Sequence, residues 1–140
     1  LGHVAYIFAF LTYGDRIGAT DNRVAAWLVW LLVGAIGWYV AVYRGQSERG
    51  ALHYAALPYA LLLASTAGFA TGLALNISAF APLAVGCALF LVSDLLIAAR
   101  LFNGVFFPLI DDVIWLTYGP AQMLIVFSAG VAVIQFLPLI

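Results

Sequence analysis

An all-α bundle of transmembrane helices is the fold class this sequence predicts, and three observations predict it. Hydrophobic residues make up 66% of the 140 positions. Charged residues make up 8%, against about 25% in ordinary soluble domains. The apolar residues also fall into long runs, at 24–43, 51–75, 77–102 and 113–137. A bilayer core of about 30 Å is crossed by roughly 20 helical residues, so each run is a predicted span.

A fifth, shorter run precedes these, from Leu1 to Tyr13. As a helix it covers only about 20 Å. It has no basic opening stretch of the kind that starts a signal peptide. The expectation is a span whose beginning lies upstream, with residues 1–140 forming one transmembrane domain, the C-terminal part of a longer chain. A polar loop is predicted from Gly14 to Arg23, loops at 44–50 and 103–112, and a tight turn from Asn76 to Ser78. Pro58 and Pro120 fall inside spans and each frees a carbonyl, which predicts bends. Gly68 and Gly72 form a GxxxG that Ala64 extends by a turn, a small-residue stripe expected to bring two helices of this chain into close contact. Arg16 and Arg23 lie on one side of the bilayer; Arg44, Arg49 and Arg100 lie on the other. That balance leans toward the 44–50 and 103–112 loops being cytoplasmic. The expected location is a bacterial inner membrane.

Several chemistries are excluded by what the chain lacks. Its five basic residues are all arginine, so no lysine is present to form a Schiff base or a Walker-type phosphate loop. Cys87 is single, which excludes an internal disulfide and a CxxC pair. His3 and His53 fall short of the three-ligand sites common in zinc hydrolases. No metal or cofactor is expected. A net charge of −1 with no basic run gives nucleic acid no surface to hold.

The informative residues are polar groups placed deep in spans. Asp94 sits in Leu91-Val92-Ser93-Asp94-Leu95-Leu96-Ile97, about 12 Å below the interface by helical rise. A carboxyl at that depth needs a cavity or a partner, and function is its default reading. Asp111, Trp115, Tyr118 and Gln122 are spaced four, three and four apart, which is one helix face. Counted from the same loop, Tyr118 lies about 9 Å deep and Gln122 about 15 Å, so they bracket Asp94. Tyr59 enters from the same side and reaches about 12 Å. His3 and Tyr6 share a face of the first segment, with His3 near the bilayer midplane. These residues are expected to converge on one pocket, with His3 and Tyr6 on its far wall. Asp111 and Asp112 open the last segment, where a helix N-terminus favours anions. His53 is read as interfacial, without a role, and Cys87 as a small buried residue.

At this point the sequence resembles a known family. Leu-Phe-Leu-Val-Ser-Asp-Leu-Leu-Ile-Ala at 89–98 and Leu-Thr-Tyr-Gly-Pro-Ala-Gln-Met-Leu-Ile at 116–125 resemble segments of the YhhN-like lysoplasmalogenases. Gly2-His3-Val4-Ala5-Tyr6 resembles that family's His-x-x-Tyr segment. The resemblance implies the last five of eight membrane helices. It also implies hydrolysis of the vinyl ether of lysoplasmalogens to a fatty aldehyde and glycerophosphoethanolamine or glycerophosphocholine. It marks Asp94, Tyr118, Gln122, His3 and Tyr6 as site positions. Gly119, before Pro120, stands where the family often has a second Tyr. The family's other acidic motif belongs to an early helix outside this sequence.

Vinyl ether hydrolysis needs a proton delivered to carbon, water to capture the oxocarbenium ion, and collapse of the hemiacetal. No nucleophilic Ser, Cys or Lys is required. Asp94 is the expected general acid, since a carboxyl held away from bulk water can retain the proton such a step delivers. Ser93, Tyr59, Tyr118, Gln122, His3 and Tyr6 are expected to contact a membrane lipid or lysolipid. Arg44, Arg49 and Arg100 gather on the side nearest Asp94, where a lipid phosphate would lie. Two other classes compete. A proton-coupled carrier would use Asp94 as a relay. A structural subunit would use the GxxxG for assembly and need no chemistry.

Overall fold

A computed structural model describes residues 2–45 and 50–136. Five α-helices follow one another: α1 (Gly2–Arg16), α2 (Arg23–Trp38), α3 (Ala51–Asn76), α4 (Ala81–Asn103) and α5 (Ile110–Phe136). No strand occurs among the described residues. A π-helical turn, Tyr39–Tyr43, prolongs α2, and a 3₁₀ turn, Ser78–Phe80, leads into α4. With these turns, Arg23–Tyr43, Ala51–Asn76, Ser78–Asn103 and Ile110–Ile134 are long and apolar enough to cross a membrane. The protein is a multi-pass helical membrane bundle. α1, at 15 residues, covers about 22 Å.

The first loop starts later than the sequence suggests. Gly14, expected to open the loop, lies inside α1, which continues to Arg16. The helix ends in a Schellman motif. Gly18 takes φ 70°, Ala19 N–H donates to the Gly14 carbonyl at 2.9 Å and Gly18 N–H to Asp15 at 3.4 Å. This turn satisfies carbonyls that would otherwise be orphaned and needs a residue without a Cβ at its left-handed position. Asp15 then pairs with Arg23 at 2.6 Å, tying α1 to the start of α2.

α3 is the hub, packed against α1, α2 and α4, while α5 packs against α4. Lipid tails are as apolar as leucine, so close packing and hydrogen bonds, rather than hydrophobic burial, join these helices. The stripe on α3 serves this purpose within the chain. A Cβ on Gly68 would stand 2.7 Å from the Trp27 Cα, and one on Gly72 would stand 3.1 Å from the Arg23 Cα. Gly34 of α2 reciprocates: its Cβ would lie 2.6 Å from the Ala64 Cβ. Along the same seam Trp27 donates to Ser65 Oγ at 3.0 Å, Trp30 to Thr71 Oγ1 at 2.9 Å and Trp38 to the His53 carbonyl at 2.9 Å. The α4–α5 seam repeats the pattern, with Gly86 against Leu124 and the Ala121 carbonyl. Asn103 closes the end of the bundle by donating to the Val40 and Ala41 carbonyls at 3.0 and 2.9 Å. Those carbonyls belong to the helix end left open by the π-turn. Outward faces stay apolar, as Leu28, Leu32 and Ile36 on α2 and Met123, Val126 and Phe127 on α5 show.

Candidate functional site

Asp94 lies nine residues before the end of α4, about 13 Å from it along the axis. Tyr59 lies eight residues into α3, about 12 Å from its start. α3 and α4 run in opposite directions from a common end, so the two residues meet at one depth. The Tyr59 hydroxyl donates to Asp94 Oδ2 at 2.6 Å, at the short end of O–H···O bonds. Both line a groove of about 270 Å³ whose walls are Trp38, Val42, Ala60, Leu63, Ala98 and Leu101 among others. Apart from the carboxyl and the phenol this groove is apolar. It follows α4 from Asp94 to Phe102, toward the bundle end that carries Arg44 and Arg100.

On the other side of Tyr59 stands His3 of α1. Its ring lies 6.4 Å from Tyr59, 5.0 Å from Phe90 and 6.1 Å from Tyr6, each in an edge-on arrangement. Its Nδ1 is 3.3 Å from Thr66 Oγ1, and that hydroxyl also donates to the Leu62 carbonyl at 3.1 Å. Tyr6 stacks on Phe10 at 6.1 Å and faces a second apolar cavity, of about 320 Å³, with Tyr13, Phe80 and Ser128.

The residues expected on one pocket are distributed over several surfaces. Asp94 and Tyr59 share the groove, and His3 joins them through ring contacts. Tyr118 is linked through Phe90, with ring centroids 5.5 Å apart, and does not line the groove. Gln122 lines a separate shallow depression with Met123, Val126 and Phe127. The 4-3-4 spacing identifies a common direction on α5, but among the described residues α5 packs against α4 and the turn before it, and the stripe wraps off that contact. Trp115, at 69% exposure, faces outward. Ser93 is fully buried and donates to the Ile114 carbonyl at 3.3 Å, so its hydroxyl joins α4 to α5. Arg100 is ion-paired with Asp111 across the α4–α5 connection. Arg44 is exposed just beyond the π-turn, and Arg49 lies outside the described residues.

Thr66 and Phe90 contribute to this cluster without having been singled out from the sequence. Thr66 is seven residues from Tyr59 and Phe90 four residues from Asp94. Each therefore shares a helix face with Tyr59 or Asp94, and each meets His3. His53, read as interfacial, has a local structural contact: its Nδ1 accepts from the Gly50 N–H at 3.2 Å at the start of α3.

The model of the YhhN family matches residues 1–129 of the chain. No curated protein and no solved structure matches it.

Proposed function

The chain belongs to the YhhN family, and we propose that its full-length protein hydrolyses the vinyl ether of lysoplasmalogens, with Asp94 as the proton donor. The family includes lysoplasmalogenases. The observation that carries the reading is the Asp94–Tyr59 pair, 2.6 Å apart, set in the wall of an otherwise apolar groove at mid-span depth. Such a groove suits a lysolipid whose one reactive, weakly polar bond must meet an acid away from bulk water.

In this scheme the Asp94 carboxyl delivers its proton to the outer alkene carbon. The new C–H bond uses the π electrons and leaves an oxocarbenium ion. Tyr59 holds the carboxyl in place and stabilises it once the proton has left. Water adds to the cation, and the hemiacetal collapses to a fatty aldehyde and the glycerophospho alcohol. Arg44 and Arg100 stand at the end where the phosphate would lie; Arg100 keeps donors to spare beyond its pair with Asp111, because a guanidinium carries five. Tyr118, acting through Phe90, shapes the wall behind His3. A bacterial inner membrane remains the expected location.

The test is aldehyde release from lysoplasmalogen by the full-length protein and by Asp94→Asn at equal membrane expression. Asn keeps the shape and can still accept from Tyr59, but it has no carboxylic proton. Turnover should fall by about 10²–10⁴, the usual span for general acid catalysis. Near-normal turnover by the variant would remove Asp94 from the mechanism. Proton-coupled solute flux in sealed vesicles, with no aldehyde from either protein, would favour the carrier reading instead.

A further inference from the structure

We infer that Thr66 fixes His3 in the tautomer protonated at Nδ1, leaving Nε2 as the base that takes a proton from the water capturing the oxocarbenium ion. The inference rests on the proposed vinyl ether hydrolysis for its chemistry, and on geometry alone for its tautomer.

A threonine hydroxyl has one proton and two lone pairs. The Thr66 proton is directed at the Leu62 carbonyl, 3.1 Å away on the preceding turn of α3. His3 Nδ1 approaches the same oxygen at 3.3 Å. With that proton already committed, Oγ1 meets Nδ1 as an acceptor, so the ring must carry its proton there. In a neutral imidazole the other nitrogen is then an acceptor. Tyr6, Tyr59 and Phe90 enclose the ring edge-on and hold it beside the Asp94–Tyr59 pair. His3 and Thr66 lie 63 positions apart in sequence, on α1 and α3, so the contact is tertiary.

The two groups balance the reaction. Asp94 gives its proton to carbon and becomes a carboxylate. Water adds to the cationic carbon through oxygen and loses a proton to His3 Nε2. In the collapse, Asp94 takes the hemiacetal hydroxyl proton as the C=O bond forms. The C–O bond to glycerol breaks, and the imidazolium returns its proton to the departing oxygen. Asp94 is then protonated and His3 neutral, as at the start. His3 is in this scheme a catalytic residue, and Thr66 a positioning residue that acts through it.

The protein carries an internal reference for the test. His53 Nδ1 accepts from the Gly50 N–H at 3.2 Å, which makes neutral His53 the opposite tautomer, protonated at Nε2. Nitrogen-15 spectra of the full-length, histidine-labelled protein in lipid, with the two signals assigned by their loss in His3→Gln and His53→Gln, should therefore show His3 protonated at Nδ1 and His53 at Nε2. Thr66→Val should remove the Nδ1–H signature from His3 and leave His53 unchanged, while Thr66→Ser should retain it. In aldehyde release, Thr66→Val should lower kcat about 10-fold with KM little altered, and Thr66→Ser should stay within about 2-fold of wild type. His3→Gln should lose about 10²-fold, the low end for a general base. An Nε2–H signature at His3 in the wild-type spectrum would overturn the tautomer. A changed His3 tautomer with kcat unaltered would overturn its role as base. Absence of aldehyde release by wild type would overturn the proposed hydrolysis, whereas the tautomer stands or falls on the spectrum.

Discussion

The two seams that α3 makes with its neighbours in sequence are built on opposite principles. Toward α2 it presents Ala60, Ala64, Gly68 and Gly72, and the backbones approach until a single added Cβ would meet another main chain at 2.7 Å. Polar groups in that seam are matched in pairs, three indole N–H groups each finding an oxygen. Toward α4, near Asp94, the helices stand apart and leave a groove of about 270 Å³. There the paired groups are a carboxyl and a phenol, and Tyr59 remains 50% exposed. A seam that only has to hold needs small residues and satisfied donors. One that admits a ligand keeps a titratable group beside open volume. The contrast separates a packing seam from the proposed site within one helix.

The comparison would break most visibly if substitutions in the two seams had the same effect. Asp94→Asn should lower aldehyde release by about 10²–10⁴, equivalent to about 2.7–5.4 kcal/mol in barrier height. Its unfolding in detergent should match wild type, because the bond from Tyr59 has an acceptor still. Gly68→Leu should do the reverse. The added side chain must displace the α2 backbone at Trp27, an overpacking that typically costs about 1–3 kcal/mol. Chemical denaturation should show that loss, and the residual folded fraction should turn over normally per molecule. Loss of stability in Asp94→Asn equal to that in Gly68→Leu would make the carboxyl a structural group.

A sharper distinction comes from Tyr59→Phe. It removes only the hydroxyl that donates to Asp94 and leaves the ring against His3 in place. The carboxylate formed in the proposed step then loses a donor, and a hydrogen bond to a charged group is worth about 1.5–3 kcal/mol. Turnover should fall by about 10-fold or more with KM nearly constant. A rise in KM alone would mean that Tyr59 holds substrate without assisting the acid.

Much of this arrangement was legible in the sequence, because depth along a helix can be counted. Counting put Tyr59 and Asp94 at one level, and the bond between them lies there. It also marked the stripe of Gly68 and Gly72 as an internal packing face, where α2 now rests. What counting misses is which neighbour covers a face. Tyr118 and Gln122 are one turn apart on α5, yet Tyr118 meets Phe90 and Gln122 opens on a separate depression. Ser93 sits beside Asp94 in sequence but points a helical step away, into α5. Thr66 carries no signal in the sequence because a threonine in a membrane helix ordinarily bonds to its own preceding turn, as this one also does. Its tie to His3 depends on where α1 lies, and one-dimensional spacing carries no record of that. The start of the loop after α1 is hard to read from the sequence for a similar reason. Gly14 looked like a stop, whereas the left-handed Gly18 is the stop.

The smallest expected effect tests the scaffold side alone. Trp30 donates to Thr71 Oγ1 at 2.9 Å across the α2–α3 seam. Inside a membrane no water competes for either group. The unfolded helices, however, also find partners for their polar groups within the bilayer, which leaves an average of about 0.6 kcal/mol per interhelical bond. A double-mutant cycle of Trp30→Phe and Thr71→Val should give a coupling of that size, with aldehyde release unchanged in all three variants. Both substitutions keep a large or branched apolar side chain in the seam, so packing losses largely cancel in the cycle. A coupling above about 2 kcal/mol would mean that the polar pairs, more than the close backbone approach, hold the two helices together. A change in turnover would mean that the α2–α3 seam reaches into the site, and the division of α3 into a packing face and a chemical face would no longer hold.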